Sequence, residues 1–282
     1  MACSKVPWRS RLQEVTNAAI LVCAHLVREC AVATTFVDSW REDNIAVIQL
    51  NRPRANAITY ELACQLEIAL DNAIANNPGA IVVTGTGSFF SGGLDLKAVP
   101  QYSADQQRAF LSVINRVITR LYACPLPVVA AINGHAIAAG FMFALTTDYR
   151  IGPESGALFG LTEVRAGIPF PAAPMEVLKA ELAPRDVRIT ALTAHNYSSK
   201  EARSRGVLDE VIAAKDVLTR GMEVARDFAT MPPDAYSRVK FQIRRTTIDA
   251  LNYLNTAKSD PMLDQWFSPG AASASGAILN GH

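Results

Sequence analysis

The 282-residue chain carries little charge and no dominant sign. Only 19% of its residues are Asp, Glu, Lys or Arg, and 27 basic against 26 acidic residues leave a net charge of +1. That balance creates no general field for a polyanion, so nucleic-acid partners are not expected. Long hydrophobic runs are also missing. The longest near the N-terminus, Ala18 to Val27, is interrupted by His25. A membrane-spanning helix needs about 17–25 apolar residues, so no membrane partner is expected either. Lys5, Arg9 and Arg11 precede this run as they would in a secretory signal, but Glu14 intervenes and no small-x-small site follows before Arg28 and Glu29. The Glu residues also count against a transit peptide. Cysteine is sparse: Cys3, Cys23, Cys30, Cys64 and Cys124 form no CxxC pair, and no Cys/His cluster has metal-ligand spacing. No metal is expected. Unpaired cysteines in a core-rich chain suit a reducing, cytoplasmic setting. Cys124, in LYACPLPVV, reads as a buried inert thiol. No GxGxxG follows a strand and no GxxxxGK[ST] occurs, which argues against dinucleotide and P-loop folds.

What is present is apolar. Half the residues are hydrophobic, which excludes disorder for most of the chain. The length allows one large domain or two small ones. Residues 1–40 form a mixed stretch, unlike the rest, and are taken as an N-terminal appendage. Residues 41–215 are taken as the core and residues 216–282 as a helical C-terminal region.

From Ile45 the pattern is regular. IAVIQL (45–50) and AIVVTG (80–85) read as buried strands, and PVVAAINGHA (127–136) as a third that enters a Gly turn. YRIG (149–152) reads as a fourth. Between the first two strands, Leu62, Leu66, Ala69, Leu70 and Ala73 recur at helical spacing over residues 60–75. Ser103 and Gln106 form a capping box before a second helix, whose face is Phe110, Val113, Ile114, Val117 and Leu121. AIAAGFMFAL (136–145) reads as the start of a small-residue helix, and Ser198 with Glu201 as another capping box. Strands and helices alternate, so the fold class is α/β with a helix-rich final third.

Two segments share one physical feature. FFSGGLDLKA and NGHAIAAG each place small residues after a strand and before a helical stretch. Unpaired N–H groups at such an entrance face the positive end of the dipole, and small side chains allow close approach. Two such donors aimed at one point make an oxyanion hole. The alternative is that the small residues merely permit close helix–sheet packing.

The runs IAVIQLNRPRANAI, GTGSFFSGGLDLKA, PLPVVAAINGHAIAAGFMFAL, TDYRIG, ALFGLTEVRAGIPFP and YSSKEARSRGVLDEV, in this order, resemble the crotonase (enoyl-CoA hydratase/isomerase) superfamily. They span roughly residues 47–211. The resemblance implies a spiral of ββα units whose helical C-terminal region covers the active site and supports a homotrimer or a dimer of trimers. It implies an acyl-CoA thioester substrate, a thioester enolate held by an oxyanion hole, and no cofactor beyond the coenzyme A of the substrate. The two amides would be those of Leu94 and Ala139. Ala138 and Ala139 stand where the family usually has glycines, and an alanine still donates its N–H if its φ is negative. Gly93, Asp95, Lys97, Gly140, Met142, Arg54 and Ala55 fall at substrate-binding positions. Lys97 is also readable as an ordinary surface lysine, and Asp95 as a loop cap. Phe141, Met142 and Phe143 fit either an acyl pocket or plain core.

The family's hydratases carry two catalytic glutamates. Met142 occupies the first position, and methionine cannot ionise. Glu163 occupies the second. One carboxylate can move a double bond by taking a proton from C2 and returning it at C4. The resemblance therefore implies an enoyl-CoA isomerase. A hydratase of fatty-acid or carboxylic-acid degradation and a non-catalytic acyl-CoA-binding member stay open, as do decarboxylation and thioester hydrolysis within the fold. Glu163 is otherwise readable as a helix-start charge paired with Arg165. His135 is read as structural, and His195 as a loop residue.

Overall fold

The computed structural model describes residues 34–257. Contacts divide the chain after Thr35, and the described residues other than Thr34 and Thr35 belong to the unit Phe36–His282. Expectations placed on residues 1–33, including the apolar stretch at 18–27 and three of the cysteines, lie outside the described residues.

The elements follow a repeat. Strands β1 (Val37–Glu42) and β2 (Ile45–Leu50) lead into helix α1 (Tyr60–Ala75). β3 (Ala80–Gly85) and β4 (Phe89–Ser91) lead into α2 (Ala104–Tyr122). β5 (Val128–Ala131) and β6 (His135–Ile137) lead into α3 (Ala139–Leu145), and β7 (Tyr149–Pro153) and β8 (Leu158–Gly160) into α4 (Ala172–Glu181). Each unit is ββα. The chain then continues through α5 (Pro184–Thr193), β9 (Tyr197–Ser198), α6 (Ser199–Ser204), β10 (Glu210–Ile212), α7 (Val217–Phe228) and α8 (Pro233–Ala257).

Two sheets result. One has the order β1-β2-β3-β5-β7-β10, and the other β4-β6-β8-β9. In units two to four the first strand joins the larger sheet and the second joins the smaller. The larger sheet is parallel except for β1 against β2. Its continuous apolar strands are explained by burial on both faces. Ala46, Ile48 and Leu50 of β2 face the core that holds α1 and α2. Ile45 and Val47 face a second core with Val217, Met222, Val224 and Ala225 of α7.

Three helices begin at side-chain caps. Thr59 accepts from the Leu62 amide, and Ser103 and Ser198 each complete a reciprocal capping box. Cys124 is buried, and burial raises its thiol pKa. A buried glutamate in α1, Glu67, is fully answered. Arg116 reaches it at 2.7 Å and Arg120 at 2.9 Å, which ties α1 to α2.

Several sequence expectations are corrected. The stretch 127–136 enters its Gly turn as expected, but the strand ends at Ala131 and the chain resumes after Asn133 and Gly134 as β6 in the other sheet. The helix expected from Ala136 starts at Ala139, because Ala136 and Ile137 pair with β8. β4 lies inside the Gly- and Ser-rich segment 85–93 and, at three residues, is too short to show a period. The boundary at residue 40 falls inside β1, which pairs with β2 from Val37 onward. In the C-terminal region, α7 covers one face of the larger sheet. Among the described residues no helix is long and apolar enough to cross a membrane.

Candidate active site

Three neighbouring parallel strands of the smaller sheet build the site. β4, β6 and β8 lie side by side, with Ser91 opposite Ala136 and Ile137 opposite Gly160. Leu94 follows β4 by three residues, Ala139 follows β6 by two, and Glu163 follows β8 by three. The three groups singled out in the sequence thus leave the C-terminal ends of adjacent strands, where parallel sheets place their ligands.

The first amide is set by a crossing of loops. Ile58 donates to the Gly93 carbonyl at 2.7 Å, and the Asp95 amide donates to the Ile58 carbonyl at 2.9 Å. In such a parallel bridge the intervening residue turns its own N–H away, and here that residue is Leu94. Its N–H has no partner among the described residues. Gly93 has φ +86°, and a methyl group there would stand 2.6 Å from the Ala138 Cβ and 3.3 Å from the Ala139 nitrogen. Glycine is required both for the turn and for this approach.

The second amide opens α3. Ala138 donates to Gly160 at 2.8 Å, and its carbonyl accepts the first helical bond, from Met142. The amide of Ala139, first in the helix, is one of the orphan donors of a helix start. Gly140 packs on β4, and a methyl group on it would meet the Ser91 carbonyl at 2.3 Å. Ala139 is helical, so the alanine conserves the donor. Ala138 has φ +53° and ψ −124°, a conformation that suits glycine and strains alanine.

Buried polar residues missed in the sequence support this frame. Asn56, with φ +49°, donates from Nδ2 to Phe89 at 2.8 Å and accepts from the Arg52 amide at 2.9 Å. Ser91 Oγ donates to the Asn56 carbonyl at 2.9 Å and accepts from the Gly93 amide. An Asn in a turn-like cluster signals such a left-handed position, but its distant partners leave no local trace.

Asp95 anchors the same loop. It pairs with Arg52 at 2.7 Å and accepts from the amides of Lys97 and Ala98. Burial works to raise its carboxyl pKa, but the two amides and Arg52 outweigh it and hold it below the usual value. Arg54 and Lys97 are exposed cations with no ion-pair partner among the described residues. Ala55 accepts from the Gly92 amide at 2.8 Å. Phe141, Met142 and Phe143 are all buried in the main core. His135 accepts the Leu158 amide on Nδ1 at 3.1 Å and lies against Phe89. His195 lies 3.9 Å from Glu201.

Glu163 stands in a turn, not at a helix start. Ile168 donates to its carbonyl, and Arg165 turns away to the carbonyls of Ala194 and Thr193. The residue is only 9% exposed, and its Oε2 has no hydrogen-bond partner. Burial raises its pKa to about 7, against the smaller lowering effect of the backbone amides of Glu163 and Thr162. The contrast with Glu67 is direct: one buried carboxylate has two guanidinium partners, and the other has none. A buried polar atom without a partner, here Oε2, is costly, which makes Glu163 a candidate functional residue.

This cost has a sign in pH. The folded-state pKa, about 7, lies above the reference 4.5, so the folded protein holds the extra proton between those values. The penalty is absent below the lower value and complete above the upper one. Glu163→Gln is therefore expected to stabilise the fold at pH 8 by at most about 3 kcal/mol, and by less than about 1 kcal/mol at pH 5. Urea unfolding of both proteins at the two pH values measures this. Equal midpoint differences at both would contradict it.

A sequence profile of the enoyl-CoA hydratase/isomerase family matches residues 40–268. The chain belongs to this family. It is thus a crotonase-type enzyme, with the α/β fold and helical C-terminal region of that superfamily. YngF of Bacillus subtilis is 32% identical over 208 residues, covering 73% of this chain and 80% of that protein. The enoyl-CoA hydratase EchA3 of Mycobacterium ulcerans is 31% identical, with a TM-score of 0.75 over 79% of this chain and 99% of that one. The human mitochondrial delta3-delta2-enoyl-CoA isomerase superposes with a TM-score of 0.82 over 87% of this chain and 97% of its own. At 23% identity that last likeness concerns the fold alone.

Proposed function

We propose that the chain is an enoyl-CoA isomerase that moves a double bond from C3 to C2 of an acyl-CoA thioester. The observation that carries this reading is a single buried carboxylate, Glu163, with a free oxygen and a pKa near neutrality. A group with that pKa can take a proton and return it at similar cost. The amides of Leu94 and Ala139 would hold the thioester oxygen as negative charge develops. The Glu163 carboxylate would remove a proton from C2, and the resulting acid would deliver it to C4. Met142 supports isomerisation over hydration. It is 1% exposed and apolar, so it offers nothing to orient an attacking water.

Coenzyme A would need local donors, given the near-neutral chain. Arg54 and Lys97, both exposed and without an ion-pair partner, suit its phosphates. A homotrimer or dimer of trimers fits the apolar residues that α8 leaves in solvent, among them Phe241, Ile243 and Tyr253. Two assays on the purified protein test the reaction. A 3-enoyl-CoA should be converted to the 2-enoyl isomer, and crotonyl-CoA should gain water far more slowly. Faster hydration than isomerisation would instead support the hydratase reading.

A further inference from the structure

We propose that Arg244, on the C-terminal helix α8, is a positioning residue for the Ala139 amide. It acts by holding the far end of α3. The inference rests on the reading of the site given above.

The near end of α3 has little freedom. Gly140 lies against β4 with no room for a methyl group, and Ala138 is bonded to Gly160 of β8. The far end is held by two buried guanidinium groups. Arg244 donates from Nη1 to Thr146 at 3.2 Å and to Tyr122 at 3.1 Å, and from Nη2 to Thr147 at 3.0 Å. Arg150 donates from Nη1 to Leu145 at 3.4 Å and to Thr147 at 3.3 Å. The last carbonyls of a helix lack internal partners and form its negative pole, so cations belong there. Arg244 is in turn fixed by Asp148 at 3.1 Å, by Glu181 at 3.6 Å and by the Tyr122 ring at 4.2 Å. Seven residues at about 1.5 Å rise make α3 about 10 Å long. With the near end pinned at Ala138 and Gly140, a tilt at its far end turns the helix about that point and re-aims the Ala139 N–H.

The same helix supplies a control. Lys240 is equally buried and also pairs with Asp148, at 2.6 Å, but its other bond goes to Leu126, not to α3. Losing Lys240 weakens the docking of α8 without releasing α3. A merely structural role for the network would make the two losses equivalent.

The test compares Arg244→Met, Arg244→Lys and Lys240→Met. Turnover is measured on a 3-enoyl-CoA. The enolate fraction of a bound 3-ketoacyl-CoA is read by its ultraviolet absorbance, and it reports the oxyanion donors directly. Arg244→Met should lower kcat by about ten- to a hundredfold, the range for a misplaced catalytic group, with KM changed less than about threefold. The enolate fraction should fall with it. Arg244→Lys, which keeps the charge but loses the fork, should be intermediate. Lys240→Met should keep both readouts while losing stability. If Arg244→Met does not fold, Arg244→Lys decides. Equal losses in the Arg244→Lys and Lys240→Met proteins would overturn the inference. So would wild-type kcat and enolate fraction in the Arg244 variants. A wild-type protein that does not enolise the ligand would overturn the reading of the site, and this inference with it.

Discussion

Glu163→Gln is expected to lower kcat for isomerisation of a 3-enoyl-CoA by about 10³-fold, within the 10²–10⁴ that a positioned acid–base group supplies. The amide keeps the shape of the carboxyl but cannot accept the proton from C2. KM should change little, because the loss falls on the transition state and not on ground-state binding. The wild-type kcat/KM should rise with pH and level off, with an apparent pKa of about 7, because the base must be ionised in the free enzyme. The variant's residual rate should lack that limb. A variant within about tenfold of wild type would remove Glu163 from the chemistry. The same substitution should stabilise the fold at high pH, so lost activity cannot be explained by lost structure. Stability and function pull in opposite directions at this residue, as they do where an active site retains a costly group.

Ala139→Pro is expected to cost about 10²–10³ in kcat, the effect of removing one oxyanion donor. The substitution costs no helical hydrogen bond, but the proline ring carbon also enters the space of the thioester oxygen, so KM is read beside kcat. Ala139 is the first residue of α3, where proline is well tolerated and where the missing N–H has no helical partner to lose. Circular dichroism should show the same helix content. Thermal unfolding should move far less than the rate. Unchanged turnover in a folded Ala139→Pro protein would mean that the oxygen is held elsewhere.

Most of the core was legible because its signals are local. Helical spacing of apolar residues placed α1 at residues 60–75, a continuous apolar run placed β2 at 45–50, and two capping boxes marked helix starts to the residue. The smaller sheet was not legible. Its strands are two or three residues long, so nothing marked the change of sheet that follows the Gly turn of PVVAAINGHA at Asn133 and Gly134. That change is what puts Ala139 beside Gly93. For the site, the residue types at Leu94, Ala139 and Glu163 came from the resemblance. Their placement at adjacent strand ends came from pairing between β4, β6 and β8. The isolation of Glu163 could not be seen in sequence either, since Arg165 lies two positions away and looks like a partner. The clamp on α3 was equally hidden, because Arg244 and Thr147 are separated by almost a hundred residues. The left-handed backbone of Ala138 violates the local preference of alanine and is dictated by its neighbours.

The central claim is that one buried carboxylate carries the same proton from C2 to C4. Deuterium placed at C2 of a 3-enoyl-CoA tests it most directly. Burial of Glu163 limits exchange with solvent while the proton is held. The account predicts that a substantial share of the label appears at C4 of the 2-enoyl product after a single turnover in ordinary water. Complete loss of the label to solvent, with turnover otherwise normal, would contradict it.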